Sequence, residues 1–265
     1  MSSPTSDTPT GQSANDGLIP GIYHYCDFWC ERCPLQERCK WRQDQQTYET
    51  LLMHDHAGLD AWLMGDGWDS DTHDGGLSLL STSERLAYLA IADRQDPPLP
   101  EEEHQRAETA LEQKTERQEA HPLAVAASEY ADAVRNELVV LQGSVLPAEE
   151  PRINLAFETV VRHAERMANR AARAAGGLVG GLFGDESEED LRGVQSDANG
   201  CAKLLRLLIA ESWEAWNELA GDEQTAELEP HMLGHLGHIR DLVSEYFPRA
   251  MEFVRPGFDD GEAAR

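Results

Sequence analysis

Asn154-Leu-Ala-Phe-Glu-Thr-Val-Val-Arg-His-Ala-Glu-Arg-Met-Ala-Asn-Arg-Ala-Ala-Arg-Ala-Ala175 is the stretch whose periodicity decides the fold class. Phe157, Val160, Ala164, Met167 and Ala171 recur at three- and four-residue intervals, which is the period of one helix face. Ala, Arg and Glu lose little side-chain freedom in a helix, so propensity and pattern agree. Just upstream, Pro122 opens a second helix with the stripe Leu123, Ala127, Tyr130, Val134, Leu138 and Leu141. Helices are also expected over about 41–64, 83–93, 101–120, 199–220 and 229–254, the third of them polar all round. Gly176, Gly177, Gly180, Gly181 and Gly184 are expected to break the helix that begins at Asn154. No alternating strand pattern of useful length exists. The expected architecture is an all-α helical bundle.

Outward from that bundle, composition divides the chain. Residues 1–20 read as a disordered leader. Residues 21–64 form a cysteine-rich loop plus helix, and 65–83 an acidic Gly-rich linker. Residues 84–255 carry the bundle, and 256–265 a tail. Asp69, Asp71 and Asp74 in the linker invite a calcium reading, but the loop lacks the glycine and the closing acid of an EF-hand. The chain has no apolar run long enough to span a bilayer and no secretory pattern at its start, so a cytoplasmic protein is expected. A net charge of −27 disfavours nucleic acid and anionic membrane as partners. Of its 22 cationic residues only Lys40, Lys114 and Lys203 are lysines. Dispersed acid with scarce lysine fits a halophilic setting, where salt screens self-repulsion; a GC-rich genome is the alternative source of the bias.

The chemistry lies ahead of the bundle, in Tyr23-His-Tyr-Cys-Asp-Phe-Trp-Cys-Glu-Arg-Cys-Pro-Leu-Gln-Glu-Arg-Cys39. Cys26, Cys30, Cys33 and Cys39 give C-x3-C-x2-C-x5-C within fourteen residues. Disulfides are disfavoured without export, so this density of thiols points to a metal. Zinc staples usually take two ligand pairs from separate stretches, whereas one loop wraps a 4Fe–4S cubane with closely spaced cysteines. Both cofactors stay open, with the cluster favoured. Phe28 and Trp29 between the ligands either shield the centre from water or pack on the next helix. Cys201, among Leu204, Leu205 and Leu208, is expected to be a buried thiol.

The run Cys30-Glu-Arg-Cys33-Pro34-Leu35-Gln36-Glu37-Arg38-Cys39 resembles the last three ligands of the cluster loop in helix-hairpin-helix DNA glycosylases. The first gap differs, and the helix-hairpin-helix glycine turn is missing, so the resemblance implies a cluster and not a glycosylase. Cys26, Cys30 and Cys33 also share the radical-SAM spacing, without its aromatic before the third cysteine or a following β/α barrel. The whole segment resembles the opening of a family of bacterial helical proteins with a YCDxWCERCP…RC signature, to which no activity is assigned.

His231, His235 and His238 recur at i, i+4 and i+7 on the last expected helix, within an arc of about 60°. They make a second candidate metal or proton-transfer site, with His163 expected to face the same groove; a hydrated histidine face is the alternative. The only Glu-x-x-His is Glu101 to His104, on the polar helix, which speaks against a di-iron carboxylate bundle. Arg162, Arg166, Arg170 and Arg173 form a basic stripe, either a dock for an anion or an unidentified acidic protein partner, or a set of internal ion pairs. Two functions follow. One is a metal-binding helical protein with a redox or electron-transfer role; the other is a zinc-stapled, non-catalytic interaction module.

Overall fold

Burial follows the stripe that decides the fold: Val160, Ala164, Met167 and Ala171 are at most 2% exposed, and Phe157 packs at the margin of the same core. The computed structural model describes residues 17–54, 101–142, 151–179, 193–221, 226–227 and 229–260. Among these there is no strand, and six helices appear: α1 Lys40–His54, α2 Glu101–Glu119, α3 Pro122–Gln142, α4 Pro151–Leu178, α5 Asp197–Leu219 and α6 Glu229–Tyr246. The chain is an all-α bundle. α4 and α5 lie along each other, α3 packs on α4, and α6 closes against α3 and α5. Leu123, Leu205, Leu208, Leu236 and Ile239 fill the space between them, each worth about 1.5–3 kcal/mol when fully buried. A polar bridge across the deep core is satisfied, with Trp216 Nε1 donating to the Tyr130 hydroxyl at 3.0 Å. α2 stays largely exposed, as its polar sequence requires.

Helix ends depart from expectation for local reasons. α4 keeps Gly176 and Gly177 helical and runs on to Leu178. A Cβ on Gly177 would lie 2.6 Å from that of Ala198, so the glycine lets α4 and the start of α5 cross closely. α5 begins two residues early because Ser196 caps it, its Oγ accepting the Asn199 N–H at 3.3 Å. α6 stops at Tyr246, short of the expected 254. Pro248 has no N–H to give and disfavours helix before it, so the chain resumes as a 3-10 turn, Ala250–Glu252. The later part of the helix expected over 41–64, the linker with Asp69, Asp71 and Asp74, the helix expected over 83–93 and the remaining glycines of 180–184 lie outside the described residues. So do the side chains of Leu138 and Leu141.

A second, smaller core sits beside the bundle. Ile19, Ile22, Tyr23, Leu35 and Cys39 form it, with Cys26, Cys33, Trp41 and Phe258 packed around them. Residues 256–260, expected as part of a tail, fold back here. Lys203 of α5 anchors them by donating to the Phe253 carbonyl and to Asp259 Oδ2, each at 2.6 Å.

Candidate metal centre

The cysteine loop is built from three 3-10 turns, Ile22–Tyr25, Cys30–Arg32 and Gln36–Arg38, each too short to bury its own backbone. Local hydrogen bonds hold it: Cys33 N–H to the Cys30 carbonyl (3.2 Å) and Cys39 N–H to that of Gln36 (3.3 Å). Ile19 N–H closes the two ends on the Arg38 carbonyl at 3.0 Å. At the tip, Asp27 Oδ1 accepts the Trp29 N–H at 3.0 Å, and Phe28 takes a left-handed φ of 54°.

All four cysteines of the motif line one cavity, together with Phe28, Trp29, Trp41 and Arg42. The cavity is narrow, about 10 Å³. Among the described residues no three His, Cys, Asp or Glu side chains are placed to grasp a single ion. Holding a metal centre would require the four thiols to rearrange around it. Burial pushes the Cys26 thiol up to about 12 and the Cys30 thiol up to about 11, and raises Cys33 and Cys39 as well. The thiols therefore stay protonated without a cation to pay for thiolate charge.

The arginine stripe of α4 runs beneath this loop. Arg32 and Arg162 sit over the Trp29 ring, at 3.7 and 4.8 Å from its centroid, and Arg166 and Arg170 each lie 5.4 Å from that of Phe28. Arg166 also donates to the Phe28 carbonyl at 3.3 Å. Of the two expected roles for the stripe, Arg162 and Arg173 show internal pairing: Arg162 with Glu158 and Glu31, Arg173 bidentate to Asp197 at 2.7 and 3.1 Å. Arg42, Arg166 and Arg170 have no carboxylate at ion-pair distance among the described residues. Arg42 Nε and Arg166 Nη1 are buried without a hydrogen-bond partner. In a chain of net charge −27, half-buried guanidinium groups with unsatisfied N–H donors suit a centre of negative charge. That property, the four-thiol donor set and the apolar walls suit either metal centre, because four thiolates outweigh the charge of a zinc ion or an oxidised cubane.

Asp197, the first residue of α5, joins the loop to the bundle. It accepts from the Tyr25 hydroxyl at 3.0 Å as well as from Arg173. Burial works to raise its carboxyl, yet the Arg173 guanidinium holds it below the usual range. Cys201, one turn on, is fully buried as expected, and its Sγ lies 3.8 Å from Asp197 Oδ2.

His231 and His235 meet edge to face with ring centroids 4.7 Å apart, while His231 and His238 are exposed. His163 does not share their groove. It is buried on the opposite side, with Nδ1 3.3 Å from Ser212 Oγ, Nε2 3.5 Å from Glu211 Oε2, and its ring edge-on to Trp29. The Asp197 latch and the His163–Glu211 contact are absent from the sequence expectations. The i, i+4, i+8, i+11 spacing of the arginines signalled a shared face but not what would lie on it. Compared with known proteins, the chain matches no protein family, no curated protein and no solved structure.

Proposed function

We propose that Cys26, Cys30, Cys33 and Cys39 hold a 4Fe–4S cluster and that the helical bundle carries it as an electron-transfer element. The observation behind this reading is the pairing of four thiols on one cavity with buried, unpaired arginine N–H groups beside it. Such donors and positive charges compensate an anionic centre and raise its potential. Phe28, Trp29 and Trp41 line the same cavity and limit water. The cluster supplies one-electron chemistry; the chain supplies thiolates, positive potential and exclusion of solvent. Protein purified without oxygen should be brown, with a broad absorption near about 400 nm that bleaches on reduction. A colourless protein holding one zinc per chain sinks the redox role.

That outcome is the second reading, a zinc staple for a binding module. The narrow interior favours it, since a single ion asks for less room than a cubane.

A further inference from the structure

We propose that the groove between the cysteine loop and the α4–α5 pair binds a small organic cation, an ammonium or guanidinium group on an apolar body. The groove is open and holds about 700 Å³, within the roughly 300–1,000 Å³ usual for small-molecule sites. The proposal goes beyond the metal reading and requires no metal in the loop.

Its charges select the ligand. Both arginines at the groove are engaged, Arg152 with Glu218 at 2.9 Å and Arg32 over Trp29. Asp27, Glu211 and Glu214 also line it, and none of them pairs with Lys or Arg among the described residues. Behind Glu211 stands His163, wholly buried, its Nε2 without a hydrogen bond and directed at Glu211 Oε2. Burial lowers this imidazole to about 4, so it is neutral near pH 7 and brings no positive charge to Glu211. An anion would meet three carboxylates that no Lys or Arg among the described residues pairs with. A bare metal ion would find no three ligands placed to hold it. Leu155, Ala156, Ala215 and the Trp29 ring supply an apolar wall for the ligand's body. Arg32 already displays the chemistry, a guanidinium resting on Trp29 inside the groove.

The test is an amide-resolved NMR titration of the full chain with benzylamine, using benzyl alcohol and benzoate as the uncharged and anionic counterparts. About 1 M NaCl shortens the Debye length to roughly 3 Å and suppresses attraction to the chain's overall charge. Benzylamine should give saturable shifts centred on the groove, and the counterparts none. Glu211→Gln and Glu214→Gln should each weaken binding at least about tenfold, whereas Glu129→Gln, which removes the same charge elsewhere, should leave it unchanged. Both groove positions are exposed, so far-UV circular dichroism should stay as in the parent. Unsaturable shifts, equal binding of benzyl alcohol, or full affinity in both groove variants would overturn the proposal. Metal content measured on the same samples keeps the two proposals apart. Binding in metal-free protein counts against the metal centre alone, and failed binding in metal-loaded protein counts against the groove alone.

Discussion

Phe28 holds a left-handed backbone that β-carbon-bearing residues seldom adopt, a cost of about 1–3 kcal/mol that its surroundings must offset. They do so with two guanidinium groups near the ring, a hydrogen bond from Arg166 to its carbonyl, and Trp41 edge-on at 5.3 Å. Gly200 shows the opposite economy. In an α5 interior a glycine costs about 1 kcal/mol against alanine, yet a Cβ here would meet the Tyr25 ring and lie 2.8 Å from Phe253 Cζ. Overpacking costs about 1–3 kcal/mol, so the clash outweighs the propensity gain. Gly200→Ala should lower the denaturation midpoint; a more stable variant would show that Tyr25 and Phe253 yield freely. His163 gives a pH dependence. Burial depresses its folded pKa to about 4 from an ordinary value near 6.5, so the unfolded chain takes up the proton first as pH falls. Its contribution is therefore complete above about pH 6.5 and is lost on the way down to about pH 4, by roughly 2–3 kcal/mol. His163→Gln should flatten that part of the stability curve; an unchanged slope would place the dependence elsewhere.

At the scale of elements, α3, α4, α5 and α6 bury apolar stripes among their described residues, and the stripes of α3 and α4 were legible because period and propensity agree within each segment. The ends were less so. Pro248 is a local signal that α6 stops before 254, whereas the close approach at Gly177 depends on Ala198 of α5. The site divides in the same way. Cysteine spacing is a local pattern and announced the donor set. The contact of Phe28 with Arg166 spans 138 residues, and that of Tyr25 with Asp197 spans 172, separations at which a lone chain offers no register. Asp197 joins loop and bundle through two long-range partners. Asp197→Ala removes the bidentate acceptor of Arg173 and the acceptor of the Tyr25 hydroxyl in a site less than a quarter exposed. A loss of about 2–4 kcal/mol is expected, with loop amides exchanging earlier than those of α3 and α4. A uniform rise in exchange, or none, would mean that the latch does not fasten the loop.

For the whole molecule, the acidic surface and the arginine-lined loop are complementary features. Among the described residues Arg32, Arg135, Arg152, Arg240 and Arg249 sit in exposed pairs worth little each, but α4 places Arg166 and Arg170 by the Phe28 ring of the cysteine loop, and Arg42 lines the cysteine cavity from α1. On the proposed reading, the bundle carries one sulfur-rich site with Arg42 in its wall. Iron, zinc and acid-labile sulfide counted per chain, in parent and Cys33→Ser protein isolated without oxygen, test this most directly. The account predicts about four irons and four sulfides in the parent and a metal-free variant. A parent without stoichiometric metal, or a Cys33→Ser protein that retains it, would contradict the metal centre; a single zinc would contradict its redox role.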